Sequence, residues 1–352
     1  MDKKVVMISP NEKLVGGVSS VIQALISSET INQRVIFLSS NGVKNSFHSA
    51  IFHLIKVFAK LVFLFITNRI DLVHIHTSSY FSFLRKSTFI LLCVLFNRKF
   101  IIHIHGGAFV RFYKDSNAPL KKYIYSLLMR ASKVVVVSKS FSKEFESCFS
   151  IRSIVIPNFS KANYTNSFNN YDSYKYLYLG DISEIKGFED ALIVIKRLKE
   201  ENDNIELICA GRNVNGFLEK MITKYDCSSY VNYLGFVNEY QKEQLFMSSH
   251  ALISPSHMES FGMSNLEAAL RGIPVIAYAV GGVPDVIEDY KNGFLVKFRD
   301  LDNLHSTLVK LRNSNCLYQS ISSGGVEYTR EKFSIENISK QYVKLYNEVI
   351  NN

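Results

Sequence analysis

Short apolar runs alternate with helix-patterned segments along most of this chain. Residues 251–253 form an apolar run that is too short for a helix and is soon closed by a proline, so the pattern predicts a buried strand that ends in a loop. Residues 266–270 then predict a short helix, which a glycine and a proline stop before a second strand at residues 275–277. This order indicates one right-handed parallel unit, whose ligand site is expected outside the carboxyl ends of the strands.

The same alternation recurs on both sides of a polar interruption. Residues 157–173 are polar and rich in asparagine, without periodicity, and indicate an interdomain linker. We therefore predict domains at residues 1–157 and 174–334, a linker at 158–173 and a helical tail at 335–352. Further strands are predicted at residues 4–8, 71–76, 99–105, 133–137, 154–156, 175–179 and 230–234, and further helices at residues 18–26, 51–67, 123–129, 141–149, 188–199, 240–247 and 335–350.

Composition agrees with a globular protein of two domains. The chain has 352 residues, of which 47% are hydrophobic and 20% are charged. Its five cysteines are scattered and odd in number, which is typical of buried thiols in a reducing compartment. Only four apolar residues separate the initial Met-Asp-Lys-Lys from Ser9, so no signal peptide is expected. We therefore expect a cytoplasmic protein.

The positive charge is concentrated in the first half. Residues 1–150 hold 20 Lys and Arg against 7 Asp and Glu, a net +13, and the remainder of the chain carries −3 of the total +10. Nucleic acid and anionic membrane are the usual partners of such a half. Because no nucleic-acid-binding motif is found, we favour an anionic membrane surface, on the inner face of the cell membrane.

Two apolar segments in this basic half bear on the membrane interpretation. In residues 51–67, His53, Lys56 and Lys60 recur at helical spacing, so an amphipathic helix is predicted instead of a membrane-spanning one. Residues 88–96 are apolar between basic flanks and too short to cross a bilayer. Each segment is compatible with an ordinary core helix or with a helix at a lipid surface.

Glu259 and Glu267 are candidate ligand-binding residues in the second half. Glu267 falls in the first turns of the predicted helix, where free backbone N–H groups and the helix dipole favour a diphosphate while the carboxylate binds ribose hydroxyls. Glu259 lies in the preceding loop and could face the other end of the ligand. Acidic residues are common near a helix start, so one of the two glutamates could simply be an exposed charge.

Two loops that follow predicted strands carry further candidates. Gly16 and Gly17 stand before the first helix, where backbone N–H groups can approach a phosphate or a sugar, although a simple turn would also use them. Lys186 stands in the loop after the strand at residues 175–179, immediately before Gly187 and a helix start, where its charge suits a diphosphate. The alternative for Lys186 is a solvated loop lysine.

Histidines end two strands of the first half. His103 and His105 lie on one face of their strand by period two, and His76 ends the preceding strand. Nearby carboxylate or cysteine ligands are missing from the sequence pattern, so no metal site is expected. From this pattern alone, a packed or hydrogen-bonded role is expected for each of these histidines, including His105 beside Gly106.

The segment that spans Glu259, Phe261, Gly262 and Glu267 resembles the donor-site motif of family 4 retaining glycosyltransferases. The resemblance covers nearly the whole chain. It implies the α/β fold known as GT-B, with two Rossmann-like doubly wound domains that face each other across a cleft. It also implies that the nucleotide sugar binds the second domain, that the acceptor lies against the first, and that the C-terminal helix returns to the first domain.

The resemblance assigns roles to residues of this chain. It implies that Lys186 stabilises the diphosphate together with backbone N–H groups near Gly262 and Met263, and that Gly16 and Gly17 approach the donor and acceptor. It implies that Glu259 positions the donor sugar, Glu267 the ribose, and His105 a sugar hydroxyl, without a metal cofactor.

One residue departs from the family pattern. Asp181 stands where the family has an arginine that shares the diphosphate with the lysine. Because an aspartate repels phosphates, we hypothesise that Arg212, in the next loop, compensates in part, although Arg212 could equally be a solvated turn arginine.

We therefore predict a retaining glycosyltransferase that moves a hexosyl group from a nucleotide-diphosphate sugar to a saccharide, with a lipid-linked acceptor as hypothesis. Its expected context is the synthesis of surface polysaccharide, capsule, lipopolysaccharide or glycolipid. A sugar-nucleotide epimerase of the same fold is the alternative enzyme, and Asp181 motivates a second alternative, a degenerate subunit that binds nucleotide sugar without transfer.

Overall fold

The computed structural model describes residues 5–11, 17–42, 47–161, 174–201 and 204–352. The chain divides into two units. Unit 1 comprises Met1–Lys161 and Phe333–Asn352, and unit 2 comprises Ala162–Lys332. The C-terminal helix therefore belongs to the same unit as the N-terminal half.

Unit 1 is a parallel six-stranded sheet with helices, in the strand order β2-β1-β3-β4-β5-β6. Its elements are β1 (Val5–Ser9), α1 (Gly17–Ile26), α2 (Glu29–Asn32), β2 (Val35–Ser39), α3 (Phe47–Ile66), β3 (Leu72–Thr77), α4 (Phe81–Leu95), β4 (Lys99–Ile104), α5 (Phe109–Asp115), α6 (Ala118–Arg130), β5 (Lys133–Val136), α7 (Lys139–Phe149) and β6 (Ser153–Val155).

Unit 2 repeats this architecture, with a six-stranded sheet in the order β12-β11-β10-β7-β8-β9. Its elements are β7 (Tyr174–Leu179), α8 (Phe188–Glu201), β8 (Ile205–Ala210), α9 (Phe217–Tyr225), β9 (Val231–Tyr233), α10 (Glu239–Ser248), β10 (Ala251–Ser254), α11 (Met263–Leu270), β11 (Val275–Tyr278), α12 (Val283–Val286), β12 (Gly293–Val296), α13 (Leu301–Asn313) and α14 (Asn315–Phe333), and the chain ends with α15 (Ile335–Asn351).

The central strands are buried on both faces, as parallel sheets require. Every residue of β1, β3, β10 and β11 is buried. All strand pairs of the described residues are parallel. The predicted α/β fold with two doubly wound sheets is confirmed.

Side chains fix several helix starts. The amide of Asn117 caps α6, whose first turn also contains a proline, and Ser138 caps α7 by accepting from Phe141 N–H. Asn238 and Gln241 form a capping box at α10. These local signals agree with the tertiary fold.

The structure departs from local sequence signals at two places. The Asn292-Gly293 pair has the composition of a hairpin-type turn, but β12 pairs in parallel with β11, and the buried Asn292 side chain donates to Val286 O and Thr329 Oγ1. The asparagine thus serves a loop between parallel strands. The helix predicted at residues 123–129 begins earlier, at Ala118, because the Asn117 cap extends it.

No helix in the described part of the chain combines the length and the apolar character that a membrane crossing requires.

Candidate functional site

The sheet of unit 2 reverses its winding direction between β7 and β10. From β7 the chain proceeds outward through β8 and β9, and it then returns to the other side of β7 with β10. Loops that follow two such strands diverge at the carboxyl edge of a sheet, which leaves a crevice for a ligand. Lys186 follows β7 and Glu259 follows β10, so both stand at this edge.

Lys186 and Glu259 form an ion pair. Lys186 Nζ lies 2.6 Å from Glu259 Oε2, and the other carboxylate oxygen accepts the N–H of Ser260 at 3.1 Å. The side chains of Lys186 and Glu259 remain 31% and 17% exposed, so the pair is accessible to a ligand. The structure therefore brings together two residues that are separated by 73 positions in the sequence.

The backbones of the two loops also touch. Gly187 has a φ of +68°, and a Cβ built on it would lie 1.7 Å from Pro255 O. The N–H of His257 donates to Ile185 O at 2.9 Å. A residue without a side chain is thus required where the Lys186 loop meets the Glu259 loop.

Helix α11 begins directly after the Glu259 loop. Gly262 precedes it with a φ of +91°, and Phe261 is buried beside it. The first N–H groups of a helix have no partners within the helix, so the turn that starts at Met263 can donate to an anion. These residues occupy the positions that the sequence analysis assigned to diphosphate binding.

Glu267 is buried on α11 and bound by a lysine of α10. Lys242 Nζ lies 3.0 Å from Glu267 Oε2 and 2.9 Å from Glu239 Oε2. Burial alone would lower the pKa of Lys242, but the two carboxylates outweigh burial and raise it. Lys242 thus binds one carboxylate oxygen of Glu267, and the other oxygen can accept hydrogen bonds from a ligand.

Two polar residues at this helix were not predicted from the sequence. Asn265 is completely buried, and neither its amide nitrogen nor its amide oxygen has a hydrogen-bond partner among the described residues. Buried amides without partners are uncommon in proteins, so Asn265 is a candidate ligand contact. Lys242 is the second. Only the position of Asn265 in the motif could have suggested it, whereas the link from Lys242 to Glu267 depends on tertiary packing.

Arg212 pairs with Asp181. Arg212 Nη2 lies 2.7 Å from Asp181 Oδ2, and both side chains are exposed. The pair has no net charge, so Asp181 no longer repels a phosphate strongly, and Arg212 adds no surplus positive charge. The partial compensation that we hypothesised remains a proposal.

The remaining site residues of the sequence analysis belong to unit 1. Gly17 is the exposed first residue of α1, and Gly16 lies outside the described residues. His105 directly follows β4 and is 6% exposed. Both of its ring nitrogens are engaged, because Nε2 lies 2.8 Å from His76 Nδ1 and Nδ1 lies 3.1 Å from Asn158 Oδ1. Contact with a sugar hydroxyl therefore requires the exchange of one of these partners.

Four histidines form a ladder on one face of the unit 1 sheet. His76 of β3 and His103 of β4 are paired in register, so their side chains lie on the same face of the sheet. His74 and His105 are each two residues away along these strands, which places them on that face as well. The rings stack at centroid separations of 4.2–5.0 Å along His74, His76, His105 and His103. Two tyrosines of α15 form hydrogen bonds with the ladder, Tyr346 with His74 and Tyr342 with His103.

The ladder is held in the neutral form. Burial lowers the pKa of His74 and of His105 to about 3 in each case, and it lowers the pKa of His76 and His103 well below the usual value. His74, His76 and His103 also offer ligand atoms within 4.8 Å of one another, as a metal site would require. Only the register of β3 and β4 brings His74 into this group, so the grouping was not predicted from the sequence.

Comparison with known proteins identifies the family. The model of glycosyltransferase family 4 matches residues 21–160, and the model of the glycosyl transferases group 1 matches residues 161–326. The chain belongs to the group 1 glycosyltransferases of family 4.

Two relatives agree with this assignment. The chain is 27% identical over 252 residues to an uncharacterised glycosyltransferase of Methanocaldococcus jannaschii, an alignment that covers 66% of this chain and 64% of that protein. It is also 27% identical over 233 residues to the poly(ribitol-phosphate) alpha-N-acetylglucosaminyltransferase of Staphylococcus aureus, where the alignment covers 64% of this chain and 46% of that protein. The chain thus spans less than two thirds of the length of either relative.

The fold has a close counterpart among solved structures. The structure of Anabaena HepE in complex with UDP and glucose has a TM-score of 0.75 to this group 1 glycosyltransferase, with 16% identity, and the match covers 98% of this chain and 99% of HepE. The GT-B fold predicted from the sequence is therefore confirmed.

The contact between the two loops of unit 2 can be tested with glycine variants. We expect Gly187→Ala to lower the free energy of unfolding by about 1–3 kcal/mol, because alanine would be strained at positive φ and would clash with Pro255 O. Gly180→Ala is the matched control, since nothing lies within 4 Å of a Cβ at Gly180. Urea denaturation measures the free energy of unfolding of both variants. Equal stability of the two variants would contradict the loop contact.

The histidine ladder predicts acid lability. A histidine whose pKa is depressed in the folded state stabilises the fold fully above the unfolded pKa of about 6.5, and this stability is lost as the pH falls toward the folded pKa. For His74, with a folded pKa of about 3, the loss at pH 5 is about 2 kcal/mol.

Thermal unfolding between pH 7.5 and 5 tests this acid lability. His74→Gln should reduce the loss of stability by about that amount, whereas His48→Gln, at an exposed position of α3, should leave it unchanged. An identical pH dependence in His74→Gln and the wild type would show that His74 is not a depressed site.

Proposed function

We propose that this protein is a glycosyltransferase that moves a hexosyl group from a nucleotide-diphosphate sugar to a saccharide acceptor with retention of anomeric configuration. The observation that carries the proposal is the ion pair of Lys186 and Glu259 at the point where the unit 2 sheet reverses. Family membership supports the reaction class, and the UDP and glucose in the HepE complex support the type of donor.

Lys186 has the geometry to stabilise the leaving diphosphate. One N–H of its ammonium group bonds to Glu259 Oε2, and its partial exposure leaves the others for phosphate oxygens. The first turn of α11, behind Gly262 and Met263, adds backbone donors. In this proposal the Asp181–Arg212 pair lies beside the diphosphate, with the charge of the aspartate neutralised.

The acidic residues position the donor. Glu259, an acceptor of hydrogen bonds, would bind hydroxyl groups of the hexose, and the oxygen of Glu267 that Lys242 does not bind would accept from the ribose hydroxyls. Asn265 would supply its unpartnered amide to the same ligand. His105 would contact a sugar hydroxyl in exchange for Asn158 or His76.

In the proposed mechanism the configuration is retained because the acceptor attacks the anomeric carbon on the face from which the phosphate departs, and Glu259 does not act as a nucleophile. Glu259 is bound to Lys186 and to Ser260 N–H, which lowers the reactivity of its carboxylate. In the proposed step the bond between the anomeric carbon and the phosphate oxygen breaks while the acceptor oxygen bonds to the anomeric carbon on the same face. The proton of the acceptor hydroxyl passes to the departing phosphate oxygen. We propose no metal in this step.

The proposed acceptor is a lipid-linked saccharide, reached at an anionic membrane surface. Helix α3 exposes a row of apolar side chains at helical spacing, among them Phe52 at 72%, Phe63 at 56% and Ile66 at 71%. The exposed Lys56 and Lys60 lie on the same helix, and they complement anionic head groups. An exposed apolar row beside lysines favours a lipid surface over the core-helix alternative for this face.

A lysine variant tests the reaction. We expect Lys186→Ala to lower kcat by about 10²–10³-fold, because the developing phosphate charge loses its cation. NMR of the product should show that the anomeric configuration of the donor is retained. Lys224→Ala, which removes a different lysine–glutamate pair of unit 2, is the matched control and should keep its activity. An inverted product would refute retention, and full activity of Lys186→Ala would refute the proposed role of Lys186.

Vesicle sedimentation tests the lipid surface. The protein should bind vesicles that contain phosphatidylglycerol more tightly than vesicles of phosphatidylcholine alone, because both Lys56 and Lys60 contribute attraction. The double variant Phe52→Gln/Phe63→Gln should lose most of this binding, and Phe236→Gln, at an exposed aromatic of unit 2, should not. Equal binding of all variants would exclude α3 as the lipid contact.

A further inference from the structure

Lys86 is a buried lysine without a carboxylate partner. It lies on α4 and is 1% exposed, which is exceptional for this residue type. Its Nζ donates to Ser82 Oγ at 3.1 Å, and among the described residues no carboxylate oxygen lies within 4.0 Å of it. A buried ammonium group that has a single neutral partner is costly unless an anion compensates for it.

A second cation accompanies Lys86. Arg85 is half-buried, and within the part of the chain that the structure describes its buried Nε has no hydrogen-bond partner and its guanidinium forms no ion pair with a carboxylate. Burial lowers the pKa of Lys86 to about 7, and the charge of Arg85 contributes to that shift. Two neighbouring cations repel each other when no anion lies nearby, so the pair destabilises the unliganded protein.

These cations lie at the carboxyl edge of the unit 1 sheet. Ser82, the partner of Lys86, is in the first turn of α4 and accepts the N–H of Ser78, which follows β3. Ser78 and Ser79 pack against Gly106, which follows β4 next to His105. The winding of this sheet reverses between β1 and β3, so the loop after β3 lies at the edge where a ligand crevice is expected.

The approach to the ammonium group is polar. Ser78, Ser79 and Ser82 are each half-exposed, and the Ser82 hydroxyl that Lys86 contacts also accepts the N–H of Ser78 at 3.3 Å. Hydroxyl groups, an ammonium and a guanidinium are the donors that recognise phosphate in proteins. A neutral sugar hydroxyl would not compensate for two cations.

We propose that Lys86 and Arg85, with the hydroxyl of Ser82, bind a phosphate group of the acceptor substrate. This inference rests on the proposed function, because it assigns the phosphate to the molecule that receives the sugar. It narrows the acceptor to a class, namely saccharides carried on a phosphate or diphosphate.

The experiment uses isothermal titration calorimetry of the full chain with farnesyl diphosphate, inorganic pyrophosphate and the neutral alcohol farnesol. Lys86→Met should weaken the binding of farnesyl diphosphate about tenfold or more, because a charge-assisted contact is lost. Lys133→Gln, which removes an exposed lysine at the opposite edge of the same sheet, should leave the affinity unchanged. Arg85→Gln is the second variant, and it should also weaken binding.

The three probes distinguish the source of the phosphate. Tighter binding of farnesyl diphosphate than of pyrophosphate, with both weakened by Lys86→Met, supports a lipid-borne phosphate. Equal binding of the two, with the same sensitivity to Lys86→Met, supports the anion site but overturns its assignment to a lipid-linked acceptor. Unchanged affinity for both in Lys86→Met and in Arg85→Gln overturns the inference, as does farnesol binding that responds to Lys86→Met like farnesyl diphosphate binding.

Two controls keep this inference separate from the proposed function. Binding of uridine, guanosine and thymidine diphosphates should be unchanged by Lys86→Met, and binding of the preferred nucleotide should be weakened by Lys186→Ala. If Lys186→Ala binds that nucleotide normally, the proposed donor site fails regardless of Lys86. The melting temperature of Lys86→Met should equal or exceed that of the wild type, because the variant removes an uncompensated buried charge. A lower melting temperature with unchanged ligand affinities would identify Lys86 as a structural residue and overturn the inference.

Discussion

The ion pair between Lys186 and Glu259 links the two loops on which the proposed donor site depends. One loop follows β7 and the other follows β10. Lys186 Nζ and Glu259 Oε2 lie 2.6 Å apart, and both side chains remain partly exposed to solvent. In a partly exposed setting such a pair contributes little to stability by itself. Its value lies in orientation, since it fixes an ammonium group and a carboxylate side by side where a ligand with both phosphates and hydroxyls could be bound.

The backbone around this pair leaves little freedom to the loops. Besides the Gly187 contact, a Cβ on Gly281 would lie 1.9 Å from Glu259 O, and Gly282 donates its N–H to that oxygen at 2.9 Å. The Glu259 loop is therefore fixed on both sides by glycine backbones. Helix α10 stabilises the adjoining helix in turn, because Lys242 binds Glu267 and Glu243 accepts from Arg271. Local rigidity of this kind is what preorganised electrostatic stabilisation requires.

Local sequence patterns predicted much of the fold. Short apolar runs bounded by glycine and proline marked the buried parallel strands, and a motif of several residues marked α11 and its loop. The patterns failed where long-range pairing decides the outcome. Asn292-Gly293 has the composition of a hairpin turn, but only the pairing of β12 with β11 shows that the strands are parallel.

The candidate site was predicted less completely, for the same reason. The four histidines become one ladder only through the register of β3 and β4, and Lys242 reaches Glu267 only because α10 packs on α11. The Asp181–Arg212 pair joins residues from two loops that follow neighbouring strands. In the sequence, Arg85 and Lys86 form a basic flank of the apolar segment at residues 88–96. The burial of Lys86 beside Ser82 could not be predicted from that flank, because it arises only in the folded unit.

A double-mutant cycle on nucleotide-sugar affinity tests the central claim most directly. The ligand would be the nucleotide-diphosphate sugar that raises the melting temperature of the wild type most, and the proteins would be the wild type, Lys186→Met, Glu259→Gln and the double variant. If the two side chains act as one unit in donor binding, their effects should be coupled by about 1 kcal/mol or more. Effects that add to within about 0.5 kcal/mol would contradict the account, because they would show that the ion pair plays no joint part in holding the donor.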